Sequence, residues 1–223
     1  MKQLTALAIA FSSIALVSCG KKAAAPPPAP VAAAPAPAPA PAAAPADDGY
    51  EQRQRQKKQA QLDYATMEDQ YINDPRGQWA TEAKASSTFG DDHGKQPGAS
   101  NLPANAVGPV DGRSWTNNHQ DIGFDWLETT FAKPVSATEV RIVFPNGEGV
   151  EAVNKLELQD TDGKWTTVWS GLSDMKRDGR GSRTWFVRSF DKTTYKVKAV
   201  KFTIANNVQN SYKVVDAVQL VGD

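Results

Sequence analysis

The segment from Arg113 to Asp121 places one aromatic ring among several hydrogen-bonding side chains. It contains Arg113, Trp115, Asn118 and His119. The apolar face of a sugar ring stacks on an aromatic side chain, while its hydroxyls need the donors and acceptors that Arg, Asn and His supply. The segment therefore predicts a carbohydrate contact. For Trp115, packing into the hydrophobic core is the alternative interpretation.

Two further stretches have the same polar character. Residues 144–149 contain Asn146, and residues 204–212 contain Asn207 and Tyr212. We include these three residues as candidates for ligand binding. Asn-rich stretches also form turns for their own sake, so the turn interpretation stays open for both.

The inventory of reactive side chains predicts a protein without catalytic activity. The histidines are His93 and His119, and neither lies in a nucleophile elbow or a metal-ligand spacing. Cys19 is the single cysteine, which excludes disulfides, thiol catalysis and thiolate zinc sites from the rest of the chain. His93 follows two aspartates, and this cluster is either a weak cation site or a polar surface loop.

The charge balance argues against nucleic acid as a partner. Lysine and arginine together number 25, and aspartate and glutamate also number 25. A bulk positive field, the usual electrostatic requirement for binding phosphate backbones, is therefore missing. Residues 176–201 are locally basic, and we interpret them as a solvated, cation-rich sheet edge.

The elements that must position these loops are β-strands. Apolar and polar residues alternate in several segments, a period of two that is typical of strands with one buried face. The segments are 124–131, 137–144, 154–159, 164–169, 184–190, 196–205 and 214–221. Asp162 and Gly163 separate two of them and predict a tight hairpin. Residues 76–223 therefore predict an all-β, antiparallel sandwich or jelly roll.

The first 75 residues divide into three segments that contribute no strand. Residues 1–18 have the basic start and apolar run of a secretory signal. Residues 19–46 are almost entirely Ala and Pro beyond the first few positions, a composition that favours a disordered polyproline II spacer. Residues 47–75 predict a short helix, either a solvated stalk that packs loosely on the domain or a coiled coil or basic helix facing peptidoglycan.

Leu16-Val17-Ser18-Cys19 resembles the lipobox of bacterial lipoproteins. The resemblance implies cleavage before Cys19 and attachment of lipid, including palmitate, to that residue. Several acyl chains give a stable membrane anchor. Gly20, rather than Asp, follows the cysteine, which by enterobacterial sorting implies an outer-membrane lipoprotein facing the periplasm or the surface. An ordinary signal peptide with a chance cysteine is the alternative.

A set of short motifs, in order along the chain, carries a second resemblance. They are Trp79-Ala80, Ala85-Ser86-Ser87, Asn105-Ala106-Val107, Asp111-Gly112, Trp115, Trp126-Leu127-Glu128, Lys133-Pro134-Val135, Leu156-Glu157-Leu158, Asp162-Gly163-Lys164-Trp165 and 215–222. With these motifs the chain resembles the discoidin family, or coagulation-factor (F5/8) C-type domains, and most of all the discoidin-like module of pappalysins. The resemblance implies a galactose-binding-like jelly roll of about eight strands that binds its partner with loops at one end.

Many members of that family hold a structural calcium near an Asp-Gly turn. Asp111 is the corresponding aspartate, and Asp216 is a second candidate ligand, whereas Ala217 occupies the place of the family's Glu. Asp216 shares strand parity with Val218 and Leu220, which predicts a buried carboxylate. Such a carboxylate needs a cation or hydrogen-bond donors, and backbone N–H groups of the 105–112 loop are the alternative to calcium.

These observations predict a lipid-anchored envelope protein with a non-catalytic module for cell-wall or surface glycan. The alternative is a structural or assembly lipoprotein whose discoidin-like domain docks another envelope protein.

Overall fold

The structure, a computed structural model, describes residues 48–91 and 99–223. The predicted signal segment, the lipid-bearing Cys19, the Pro/Ala spacer and the His93 cluster lie outside the described residues.

One helix and ten strands give the described part of the chain its order. The helix is α1 (Asp48–Ile72), and short 3-10 turns occupy 99–101, 103–106, 150–152 and 206–208. The strands are β1 (Gly77–Ala85), β2 (Trp115–Thr116), β3 (Phe124–Val135), β4 (Ala137–Pro145), β5 (Val153–Asp160), β6 (Trp165–Ser170), β7 (Arg183–Ser189), β8 (Val197–Ala205), β9 (Val214–Val215) and β10 (Ala217–Gly222).

Eight of these strands form one curled antiparallel sheet. Its strand order is β6-β5-β8-β3-β1-β10-β4-β7, and β2 pairs separately with β9. Strand β1 changes partner along its length, from β10 at Gly77–Trp79 to β3 at Ala80–Ala85. This change joins two layers, so the sheet folds over a single core. The predicted antiparallel jelly roll is confirmed.

The core lies where the alternation predicted it. Side chains in phase on each strand are fully buried together, among them Leu127, Ile142, Leu156 and Phe202. The β5–β6 hairpin turns at Asp162-Gly163, where Gly163 has φ of 89° and Asp160 Oδ1 accepts the N–H groups of Asp162 and Lys164. The predicted hairpin is confirmed.

Helix α1 packs on the domain more closely than the loose stalk predicted from the sequence. Tyr64 is only 5% exposed, and its hydroxyl donates to the Arg183 carbonyl at 2.8 Å. A Cβ at Gly181 would lie 2.1 Å from the Tyr64 ring, so the loop passes against the helix only because residue 181 is glycine. Helix α1 has only a partial apolar stripe. That stripe is enough to attach the helix because it packs against an aromatic surface around Trp185.

A buried cation holds the C-terminal end of α1. Arg141, which is 6% exposed, donates to Asp74 at 2.9 Å and to Gln219 at 3.0 Å, and its guanidinium lies 4.3 Å from the Tyr71 ring centre. Most of the helix before Tyr64 is exposed. No helix within residues 48–91 and 99–223 is long and apolar enough to cross a membrane.

Candidate functional site

A buried carboxylate organises the loops at one end of the sandwich. Asp125, at the start of β3, is 1% exposed. Its Oδ1 accepts hydrogen bonds from the hydroxyls of Ser86 and Ser87, both at 2.8 Å, and its Oδ2 accepts the amides of Asn117 at 2.9 Å and Asn206 at 3.0 Å. Burial raises the pKa of Asp125, but these hydrogen bonds outweigh it and hold the pKa below its ordinary value. The group is therefore a carboxylate at neutral pH.

A buried lysine ties the same loops together from the other side. Lys213 is fully buried, and its ammonium donates to the carbonyls of Asn206 at 2.8 Å and Ser211 at 2.6 Å and to that of Gln120. Its backbone N–H donates to Asn117 Oδ1 at 2.7 Å. Burial lowers the pKa of Lys213 to about 8, an effect that the nearby carboxylate of Asp125 opposes. Three separate segments of chain thus converge on two buried charges.

Above this network lies a polar and aromatic surface, which we call the ledge: Phe89, Asn118, His119 and Tyr212. Phe89 and Tyr212 meet edge to face with ring centres 4.7 Å apart, and the Gly90 N–H donates to Asn118 Oδ1 at 3.3 Å. His119 Nδ1 lies 3.1 Å from Asp125 Oδ2, and the His119 side chain is 47% exposed. Because a carboxylate only accepts, Nδ1 carries the proton and Nε2 faces outward as an acceptor when the ring is neutral.

The ledge brings together three residues that the sequence predicted, but Trp115 is not among its exposed rings. Trp115 is fully buried, and its Nε1 donates to the Ser87 carbonyl at 2.9 Å. The prediction of Trp115 as a ligand-stacking residue is therefore wrong, and the alternative, a core residue, holds. Phe89 and Tyr212 are the aromatic side chains at this position.

Arg113 lies apart from the ledge. Its guanidinium binds the carboxylate of Asp111 at 2.7 Å, and it lines a shallow depression with Asn101, Asn105 and Val214. The exposed Asn146 has φ of 52° and donates its N–H to the Ser182 carbonyl at 2.9 Å, which places it beside the 171–182 loop. Asn207 is exposed on the turn next to Val208. The structure therefore does not bring Arg113, Asn146 and Asn207 to the ledge.

The residues around Asp111 and Asp216 do not fit calcium. The Asp111 carboxylate accepts a hydrogen bond from the Arg113 guanidinium. The Asp216 carboxylate accepts the N–H groups of Asp111 at 3.2 Å and Gly112 at 3.3 Å. A guanidinium nitrogen of Arg183 lies 3.7 Å from Asp216. A Ca²⁺ site needs six or more oxygen ligands and little positive charge nearby. No cluster of three or more potential metal-binding side chains occurs among residues 48–91 and 99–223.

Asp216 is buried, as the strand parity predicted, and the backbone N–H alternative is confirmed. The alternation does not hold across Asp216, however. Val215 and Val218 have opposite strand parity, and both belong to the main core. Burial raises the pKa of Asp216, and the two N–H donors and Arg183 offset only part of that effect. The residue ties the last strand to the 105–112 loop.

A groove lies beside the ledge at the same end of the sandwich. It has a volume of about 420 Å³ and is lined by side chains from the ends of β3, β5, β6 and β8. Phe124 is 65% exposed there, Val208 46% and Leu172 83%. Exposed apolar side chains grouped in a concave surface indicate a contact surface rather than chance exposure.

The polar network does not form a hydrolytic triad. Ser86 and Ser87 direct their hydroxyls to Asp125, not to His119, so the imidazole activates neither hydroxyl as a nucleophile. The same hydrogen bonds fix the loop that carries Phe89. We interpret the network as a support for the ledge.

Comparison with known proteins identifies the fold. No protein-family model matches this chain, and no curated protein does. A chitosan-binding module from a chitosanase/glucanase of Paenibacillus sp. IK-5 superposes with a TM-score of 0.50 at 12% identity, over 65% of this chain and 99% of the module. The family 32 carbohydrate-binding module of NanJ from Clostridium perfringens, solved with galactose, gives 0.47 at 14% identity, over 65% and 98%.

The described domain shares the antiparallel jelly-roll fold of the Paenibacillus chitosan-binding module. A further module of this kind, from a family 31 glycoside hydrolase of Clostridium perfringens, gives a TM-score of 0.47 at 17% identity, over 66% of this chain and 92% of the module. At such identities the likeness concerns the fold. What the jelly-roll domain of this chain binds must be argued from its own residues.

Sequence reasoning missed the residues that build the ledge from below. Asp125 has the same strand parity as Leu127 and Phe131, so the alternation already placed a carboxylate on the buried face. That signal was available. Phe89 and Lys213 gave no comparable local signal, because their roles depend on segments far along the chain.

Proposed function

We propose that the jelly-roll domain binds glycan at the ledge, without catalysis, and that a lipid anchor at Cys19 holds it in the bacterial envelope. The observation that carries the glycan proposal is the Phe89–Tyr212 ring pair beside Asn118 and the outward-facing Nε2 of His119. An aromatic surface stacks on the apolar face of a sugar ring, and amide and imidazole groups at its margin bind the hydroxyls of that ring.

The charges around the ledge favour a neutral or cationic glycan over an acidic one. Asp91 and Asp121 are exposed on the loops that carry Phe89 and His119, and the only cation that Asp121 is seen to favour within the described ranges is the buried Lys213. An acidic polysaccharide would meet like charge there. Cell-wall glycans with amino sugars and neutral surface polysaccharides are therefore the ligand classes we expect.

A sedimentation assay tests the glycan proposal. The purified full chain is mixed with insoluble chitosan, peptidoglycan sacculi and cross-linked agarose, and the bound fraction is measured. We expect retention on at least one polymer and its loss in a triple variant, Asn118→Ala, His119→Ala and Tyr212→Ala. Arg113→Ala is the matched control and should bind as the parent does. Equal retention of parent and triple variant, with unchanged melting temperatures, would place the site elsewhere.

The anchoring proposal rests on the lipobox-like Leu16-Val17-Ser18-Cys19 and on the Pro/Ala spacer after it. A spacer of this composition would hold the domain away from the membrane surface. Cys19→Ser should abolish incorporation of labelled palmitate and release the protein from the membrane fraction. Labelled palmitate in the variant would refute the anchor, and fractionation of the parent tests the outer-membrane location.

Docking of another envelope protein is the second candidate function. The exposed apolar side chains of the groove favour it, together with Ile122, which is 67% exposed. Those side chains are also compatible with a sugar ring. Protein docking and sugar binding differ because a sugar needs hydrogen-bond partners for its hydroxyls, whereas an apolar protein side chain needs none.

A further inference from the structure

The groove beside the ledge has two chemically different walls. Phe124, Val208 and Leu172 supply apolar surface, while Asn154, Lys155 and Ser170 contribute polar groups. Its volume of about 420 Å³ lies within the range of small-molecule sites. The occupant that fits two such walls has an apolar face and several hydrogen-bonding groups.

One polar group of the groove lacks a partner. The Oδ1 atom of Asn154 is buried and accepts no hydrogen bond from any described residue. An unsatisfied buried acceptor is costly, and a ligand that donates a hydrogen bond would remove this cost once the amide turns toward it. A purely apolar side chain from a partner protein would leave Oδ1 unsatisfied. This atom therefore favours a hydroxyl-bearing occupant.

The loop that joins β2 to β3 connects the ledge to the groove along the chain. That loop carries His119 at one end and leads into Phe124 at the other. Its path is fixed where the Asn206 amide donates to the Ile122 carbonyl at 3.0 Å and the Asn206 N–H donates to the Gly123 carbonyl at 3.0 Å. Asn207, exposed beside Val208, lies on the turn that follows Asn206.

We propose that this groove is a second sugar subsite, so that the loop end binds a run of sugar units in a glycan chain instead of a single terminal sugar. The proposal rests on the proposed glycan-binding function and extends it. Phe124 stacks on the apolar face of the additional sugar unit, Val208 and Leu172 enclose it, and Asn154 accepts a hydrogen bond from one of its hydroxyls. Binding strength then depends on the length of the glycan.

Calorimetric titration with oligosaccharides of defined length tests this subsite. The full chain is titrated with three series of one to six units, built from glucosamine, N-acetylglucosamine and galactose. For the series that binds, we expect affinity to rise about ten-fold from one unit to the length that fills both sites, equivalent to one well-packed sugar contact. Phe124→Ser should remove most of that rise and leave monosaccharide affinity within about two-fold.

Leu172→Ser is a second groove variant, and Leu62→Ser on helix α1 is its matched control, since both leucines are exposed. Leu172→Ser should reduce the length dependence, and Leu62→Ser should leave it unchanged. Length-dependent binding that persists in both groove variants, or parent binding that is independent of length, would overturn the subsite but keep the ledge. Absence of binding to all three series would overturn the subsite together with the function on which it rests.

Discussion

Replacing Asp125 by alanine tests whether the buried network supports the loop end. The substitution leaves the amides of Asn117 and Asn206 and the hydroxyls of Ser86 and Ser87 without their common acceptor. It also removes the carboxylate that favours the charged form of buried Lys213. Removing one member of a buried charged network costs about 3–5 kcal/mol, because the remaining groups stay desolvated and unpaired.

We therefore expect Asp125→Ala to lower the free energy of unfolding by about 4 kcal/mol. For a domain of this size, such a loss lowers the melting temperature by roughly 8–16 °C. Urea unfolding of the full chain, followed by tryptophan fluorescence, measures the change in free energy. Asp121→Ala is the control: removing this exposed carboxylate, four positions earlier in the loop before β3, should cost less than about 0.5 kcal/mol.

Asp125→Asn separates charge from hydrogen bonding. The asparagine oxygen can face the amides of Asn117 and Asn206, while its NH₂ group faces the serine hydroxyls, which can rotate to accept. We expect a cost of about 1–2 kcal/mol, since hydrogen bonds to a neutral acceptor are weaker. The reasoning is refuted if Asp125→Ala costs less than about 1 kcal/mol with an unchanged urea dependence.

Three further predictions follow from the buried groups and from helix α1. Asp216→Ala should cost about 2–4 kcal/mol by urea unfolding, because it leaves the N–H groups of Asp111 and Gly112 unpaired, and EDTA should not shift the melting temperature of the parent. Because burial lowers the pKa of Lys213 from 10.5 to about 8, the unfolded chain binds more protons than the folded one between these values, so stability should rise by up to about 1.4 kcal/mol per pH unit from pH 8 to 10. Lys213→Met should abolish that rise, and an identical pH dependence in the variant would contradict it. A chain beginning at Arg76 should be about 3–6 kcal/mol less stable than one beginning at Ala46, because it loses the packing of Tyr64 and Tyr71 on the sheet. Urea unfolding of the two chains measures the difference. Equal unfolding midpoints would restore the interpretation of α1 as a loose stalk.

Strands β3 to β10 and the β5–β6 hairpin were predictable because their signals are local, whereas β1 and β2 were not among the predicted segments. Alternation with a period of two reports which face of a strand is buried, and Asp162-Gly163 meets the backbone requirement of a tight turn without help from elsewhere. For Asp216 the alternation gave the right burial, but the strand there is buried on both faces, so the parity was not the cause. The alternation also placed Asp125 in phase with Leu127, so the burial of that carboxylate was contained in the sequence as well.

What the sequence could not provide is which distant groups meet. Asp125 is held by Asn206, 81 positions away, and Lys213 by Asn117, 96 positions away. Such pairs depend on how the sheet closes and on the order of its strands, which no local pattern encodes. The pairing of Arg113 with Asp111 and the burial of Trp115 under the Ser87 carbonyl have the same origin.

Helix α1 shows the same division between local and tertiary information. Its bounds follow from local helix signals, and the structure gives Asp48–Ile72 within the predicted 47–75. Its attachment follows from Arg141 and Trp185, which lie on strands of the distant sheet. The sequence by itself determined helix α1, strands β3 to β10 and most of their buried faces, because these depend on neighbours one to four residues apart. The tertiary structure alone decided the ledge and the groove, because both are assembled from loops that only the closed sheet brings together.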